Sequence, residues 1–195
     1  MQTVFERNGA SYARARHDVP LSLVERAVRP LKRTPLQRIL LVTDGTVTEI
    51  LEAYTGESMA LVKLGEAVVE AAAPIPGLHV DRGERVLHRE ILLRGKMSLT
   101  NFLYAESFIA VDRLDEALRN GLLKSRKPIG FLIQEQRMET YREILGCGRE
   151  LAGSLAHHFD IDPHEGMIWR TYRIFYQGQP IMQITEKFPE THFPD

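Results

Sequence analysis

The stretch that decides the fold class is Met167-Ile168-Trp169-Arg170-Thr171-Tyr172-Arg173-Ile174-Phe175-Tyr176-Gln177-Gly178-Gln179-Pro180-Ile181-Met182-Gln183-Ile184-Thr185-Glu186-Lys187-Phe188. Residues 167–176 and 181–188 are two runs of β-branched and aromatic residues. The Gln-Gly-Gln-Pro segment between them is turn chemistry, so the stretch predicts a β-hairpin. Upstream, residues 85–93 and 102–111 predict a second hairpin, joined through 95–100. Residues 138–145 predict another strand, followed by a helix through Leu151 and Leu155. Residues 58–73 are ambiguous: their alanines favour helix, whereas Leu61-Val62 and Val68-Val69 favour strand, the preferred reading. Pro74-Ile75-Pro76-Gly77 then forces a turn or extended loop.

The N-terminal part reads as helical. Pro20 opens a helix with Leu21, Leu23, Val24 and Val28 on one face, and Pro30 closes it. Thr34-Pro35 is an N-cap and first-turn pair leading into Leu36, Ile39 and Leu40. Asp44-Gly45 breaks that helix. Thr46 with Glu49 is a capping-box pattern for the next one, which ends near Tyr54 and Gly56. Residues 112–123 predict a helix, and Pro128-Ile129-Gly130 starts another. Helices followed mostly by antiparallel hairpins predict an α+β fold, with one domain over residues 1–195 and an antiparallel sheet of about six strands flanked by helices.

The chain has 195 residues, 44% hydrophobic and 26% charged, a balance that lets one domain bury a core without disulfides or metals. A net charge of −1 argues against a general electrostatic grip on nucleic acid or anionic lipid, which makes a small molecule the expected partner. Cys147 is the only cysteine, so no intrachain disulfide forms. The first eight residues lack the apolar core of a signal peptide, and the longest apolar runs are too short to cross a bilayer. A cytoplasmic protein is expected.

Strand alternation singles out two charged residues. In the last strand Met182, Ile184, Glu186 and Phe188 share one face, opposite Ile181, Gln183, Thr185 and Lys187. A carboxylate in that apolar row must be paired or held protonated, and the protonated form suits a general acid. Leu87, Arg89, Ile91 and Leu93 likewise share a face. A buried guanidinium cannot shed its proton, so Arg89 needs an anion, either Glu186 or the carboxylate of a ligand. The bland alternative for each is a rim residue or half of a structural salt bridge.

His88-Arg89-Glu90-Ile91-Leu92-Leu93 resembles the R-E-I-L-L strand of chorismate pyruvate-lyases. Pro128-Ile129-Gly130-Phe131-Leu132 is similar to their P-L-G-x-x-L helix start. Gly178-Gln179-Pro180 with Ile184-Thr185-Glu186-Lys187-Phe188-Pro189 resembles their closing hairpin. The blocks at 36–49, 104–107 and 139–145 are closer to the 4-hydroxybenzoate synthases outside the ubiquinone pathway. The resemblance implies a chorismate-lyase-like fold and a cofactor-free, metal-free enzyme that converts chorismate to 4-hydroxybenzoate and pyruvate. It also implies that Arg89 binds the ring carboxylate and Glu186 is the catalytic acid. Backbone amides near Val47 and Ile129 are implied to line the pocket, with Gly130 and Thr185 as further substrate-binding positions. One departure stands out: Ala105-Glu106 replaces a Gly-Arg pair of the ubiquinone-pathway enzymes. If that arginine holds the second carboxylate there, Arg142 or Arg173 must serve here.

Other features have simpler readings. Gly146-Cys147-Gly148 lacks the third glycine and the βαβ context of a dinucleotide loop, and Cys147 is more simply a buried thiol than a nucleophile. His157-His158 and His164 lack zinc-site spacing. Arg29, Lys32 and Arg33 fit an exposed helix junction, and Phe102, Tyr104, Phe108 and Trp169 fit a core. The rival to an enzyme is a ligand-sensing domain of a transcription regulator, which binds a small acid without turning it over. Against it, the roughly fifty residues before the sheet are expected to be too few for a winged DNA-binding domain.

Overall fold

The computed structural model describes residues 33–124 and 128–194, with backbone alone at 123 and 124. The helix expected from Pro20 to Pro30 lies outside the described residues, as do Arg29 and Lys32. Thr34 caps α1 (Pro35–Val42) through a full capping box with Gln37, each bond 3.2 Å long. The buried Gln37 amide also donates to the carbonyls of Glu190 and Phe193, tying this helix to the C-terminal segment. In α2 (Val47–Thr55) the capping box expected from Thr46 and Glu49 does not form. The Thr46 side chain instead covers Gly130, where an added Cβ would lie 3.2 Å from its methyl. Gly56 closes α2 in the left-handed conformation (φ 72°).

Residues 58–73 resolve as strand β1 (Met59–Glu70). β2 (Arg85–Gly95) and β3 (Asn101–Ile109) make the expected hairpin. The helix read over 112–123 is a 3₁₀ turn, Val111–Arg113, followed by α3 (Glu116–Lys124), and α4 (Ile129–Glu135) starts after Pro128. The largest departure follows. β4 (Thr140–Leu151) continues through Gly146-Cys147-Gly148 to Leu151, where a helix was expected, and helical structure starts only beyond it, as a 3₁₀ turn (Gly153–Leu155) leading into the short α5 (Ala156–Phe159). The cause is pairing with β5 (Gly166–Tyr176), on which Trp169 lays its indole against the two glycines. β6 (Gln179–Pro189) follows a turn of two residues, not four, with Gln177 and Gly178 both at positive φ as tight hairpins require.

All pairings are antiparallel, in the order β1-β2-β3-β6-β5-β4. The sheet is thus two three-stranded meanders joined through β3 and β6, and they match in detail. Each outer strand carries a register shift before a glycine, Lys63/Gly65 and Ile144/Gly146. Each middle strand carries a buried arginine just past it, Arg89 and Arg170. One sheet face packs on α1 to α4 around Leu40, Leu41, Leu51, Leu118, Leu132 and Phe188. The other carries half-exposed cross-strand pairs such as Arg173–Glu143 at 2.8 Å and Lys187–Glu150 at 2.6 Å. Phe102 and Tyr104 are core residues, while Phe108 and Trp169 are only half-buried. Thr34–Asp195 forms one compact unit.

The glycines under Trp169 give a test. A Cβ on Gly148 would lie 2.9 Å from the indole, but one on Gly146 only touches it at 3.7 Å. Gly148→Ala is expected to cost about 1–3 kcal/mol by overpacking and to shift the emission of this single tryptophan. Urea unfolding and fluorescence should show a smaller change in both for Gly146→Ala.

Candidate active site

Alternation along β2 and β6 sends Arg89 and Glu186 to the helix-covered face, in line with the apolar rows read from sequence. The pairing of β3 sets Ser107 opposite Arg89 and Ala105 opposite Glu186. Both charged side chains, 2% and 7% exposed, open onto one cavity with about 590 Å³ of empty volume, mouth included. Its floor is apolar, built from Ile91, Leu93, Ala105, Ile174 and Ile184. Its roof is the start of two helices, Thr46-Val47-Thr48 of α2 and Pro128-Ile129-Gly130 of α4. First-turn amides have no acceptor within their own helix, so both starts present donors to the cavity. Gly130 lets them approach, since a side chain there would press on Thr46.

Of the two anions expected for Arg89, Glu186 is not its partner. Arg89 Nε lies 3.2 Å from Glu66 Oε2, and Glu66 Oε1 accepts from Lys63 Nζ at 2.7 Å. Burial lowers the guanidinium's pKa and Glu66 partly restores it, while the intrinsic value of arginine keeps it charged. Glu186 is paired with Arg170, whose Nε donates to Oε2 at 2.7 Å. The Tyr172 hydroxyl donates to Oε1 at 3.0 Å. Burial first, and then Glu186, push the Tyr172 pKa far up, so its hydroxyl keeps its proton. Arg170 Nη1 also donates to the Thr43 carbonyl at 2.6 Å, and its guanidinium lies 5.0 Å from the Tyr172 ring centre.

The cavity therefore gathers Arg89, Glu186, Val47, Ile129 and Gly130, all read from sequence. Thr185 is not among them. It follows Ile184 and precedes Glu186, so alternation turns it to the opposite face, where its hydroxyl bonds Thr171 at 2.9 Å. Arg142 lines the cavity and donates through Nη1 to the Asp44 carbonyl, whereas Arg173 lies outside, paired with Glu143 and stacked on Phe175. Glu106 also faces away, bonded to His88 at 2.9 Å. The sequence reading missed Arg170, Tyr172, Ser107 and Glu66. Arg170 was within reach, because Ile168, Arg170, Tyr172 and Ile174 form another apolar row with one charge in it. Cys147 is half-buried within β4, and no three His, Cys, Asp or Glu side chains gather as a metal site among the described residues. No helix there is long and apolar enough to cross a membrane.

Fold and site together define an α+β domain whose buried, arginine-rich cavity suits an organic anion. The family model described as Chorismate pyruvate-lyase Rv2949c-like matches residues 41–193, and the chain belongs to that family. It is 35% identical over 159 residues to a protein of Mycobacterium leprae (strain TN) named chorismate pyruvate-lyase, covering 81% of this chain and 76% of that one. Its identity to the chorismate pyruvate-lyase of Mycobacterium tuberculosis (strain CDC 1551 / Oshkosh) is 32% over 178 residues, 89% of this chain and 88% of that one. Among solved structures, the effector domain of PhnF from Mycobacterium smegmatis shares the fold with a TM-score of 0.59 at 17% identity, over 77% of this chain and 92% of that one.

Removing one partner of a buried ion pair strands the other. Arg170→Met is expected to cost about 3–5 kcal/mol in urea unfolding at neutral pH, because Glu186 keeps its burial and loses its cation. Tyr172→Phe removes one hydrogen bond to a charged group and should cost about 1.5–3 kcal/mol.

Proposed function

We propose that this protein is a chorismate pyruvate-lyase that converts chorismate to 4-hydroxybenzoate and pyruvate. The observation that carries the reading is that Arg89 and Glu186 are buried on one face of the sheet, separated by β3, and open onto one apolar-floored cavity. Membership of the family and relatives named for this activity support it. Chorismate is a ring with a carboxylate at one end and an enolpyruvyl ether beside its hydroxyl. Breaking the ring carbon–ether oxygen bond sends the electron pair to the oxygen, and loss of the neighbouring ring hydrogen as a proton makes the ring aromatic. The departing enolpyruvate gains one proton at its methylene and becomes pyruvate.

Arg89 grips the ring carboxylate, with the donors of the α2 and α4 starts at Val47, Ile129 and Gly130 beside it. The apolar floor packs the ring. Glu186 supplies the proton to the departing group as general acid. Both its oxygens accept hydrogen bonds here, so the proton it delivers must first be taken up. The reaction itself releases one from the ring, and a single carboxylate can take that proton and give it back to the side chain. Arg170 and Tyr172 hold Glu186 in place for the transfer. The balance is complete within the substrate and this side chain, and the proposal includes no cofactor.

The test is incubation of the purified, EDTA-treated protein with chorismate, followed by absorbance and chromatography. 4-Hydroxybenzoate with equimolar pyruvate is the expected result. Binding of 4-hydroxybenzoate without turnover would favour the sensor reading, since a fold alone does not fix function. Glu186→Gln is expected to keep 4-hydroxybenzoate binding and lower kcat by at least about tenfold, the lower end of general-acid effects. Unchanged turnover in that variant would remove Glu186 from the chemistry. Arg89→Ala should weaken 4-hydroxybenzoate by at least about tenfold, as loss of a charged anchor does. Unaltered affinity would end the carboxylate assignment.

A further inference from the structure

The cavity holds more positive charge than its own acids offset. Arg89 has Glu66 and Arg170 has Glu186. Arg142 has neither: among the described residues no carboxylate lies within ion-pair distance of it, and its hydrogen-bond partner is the neutral carbonyl of Asp44. Its Nε is buried without an acceptor. A buried guanidinium donor left unmade is costly, and the usual compensation is an anion. The side chain is not stray, since it lines the cavity and its Nη2 lies 3.8 Å from where a Cβ on Gly130 would stand.

Position in the sheet says which anion. In the strand order β2-β3-β6-β5-β4, Glu186 on β6 stands two strands from Arg89 and two strands from Arg142, on opposite sides. In chorismate the ether oxygen lies between the ring carboxylate and the side-chain carboxylate. A ligand held at one end by Arg89 and protonated at its middle by Glu186 extends its far carboxylate toward β4. We infer that Arg142 binds the enolpyruvyl carboxylate, so that the site selects a dicarboxylate over a simple benzoate. This rests on the lyase reading above and adds a specificity residue to it.

The experiment compares wild type with Arg142→Gln and Arg142→Lys, each checked for an unchanged melting temperature. Three probes are used: chorismate in turnover, 4-hydroxybenzoate in binding, and 3-(1-carboxyethoxy)benzoate in binding. The last carries both carboxylates and cannot be cleaved by aromatisation. Arg142→Gln is expected to raise KM for chorismate and Kd for the dicarboxylate by at least about tenfold, while 4-hydroxybenzoate changes by less than about twofold. Arg142→Lys restores part of the loss. Equal weakening of both bound ligands would put Arg142 on the ring carboxylate and overturn the proposal, as would no weakening of either. If wild type fails to turn over chorismate but the Arg142 variants still lose only the dicarboxylate, the lyase reading falls and the dicarboxylate subsite stands. If turnover is present and that selectivity absent, the reverse holds.

Discussion

The site depends on one buried contact, Arg170 to Glu186. Two full charges under helices are stable only when every strong donor and acceptor is used, because the desolvation each suffers is of the same order as their attraction. Here the accounting closes with neighbours. Arg170 spends one nitrogen on Glu186 and another on the Thr43 carbonyl, and Glu186 spends its second oxygen on Tyr172. The Thr43 bond matters beyond the pair. It pins the end of α1, and with it the short loop that leads into the first turn of α2, onto the middle of the second meander. Arg142 does the same one residue later through Asp44. Two arginines from neighbouring strands thus set where the α2 donors face the cavity, and one of them, Arg142, also lines it.

The matched halves of the sheet explain why the cavity is where it is. Each meander presents an arginine at the corresponding place on its middle strand, Arg89 and Arg170, and each brings a helix start to the seam between β3 and β6. What breaks the match gives the site its polarity. On β6 the residue beside Arg170 is Glu186, whereas on β3 the residue beside Arg89 is Ser107. One arginine is therefore occupied from within the core, and the other looks to Glu66 on an outer strand. On the outer strands Arg142 corresponds to Leu61, a cation at one end of the cavity and a hydrocarbon at the other. A near-symmetric scaffold thus makes an asymmetric pocket, as a substrate with one reacting side requires.

Much of this was legible in the sequence because strands with one covered face write their geometry as period-two patterns. The hairpin ending at Phe188, the rows around Arg89 and Glu186, the Thr34 cap and the Gly56 stop follow from residue chemistry alone. β4 was not legible past Leu145. Gly146-Cys147-Gly148 carries neither helical nor strand preference, and what extends the strand is the bulge at Ile144/Gly146 and the Trp169 indole, both set by a partner strand. Arg142 precedes that bulge and shares the covered face with Ile144, but Arg142 and Arg173 lie on different strands, and only their pairing shows that the two side chains face opposite ways. The choice between Arg142 and Arg173 therefore needed the fold. Thr185 is the opposite case. The alternation that selected Glu186 already turned Thr185 away, and only its place inside a family block suggested a substrate contact.

The PhnF effector domain shares this fold at 17% identity, and a fold by itself does not fix a function. Chemistry needs something that binding does not, a group able to exchange a proton at the middle of the ligand and held rigid enough to do it. A carboxylate facing an apolar floor and locked by an arginine and a tyrosine is poorly placed to improve the affinity of an anion, because it repels one. Its presence beside the cations and amide donors of an apolar-floored cavity is a cost to binding an anion. In the proposed lyase the carboxylate takes part in a step that follows binding, which a sensor's cavity does not need.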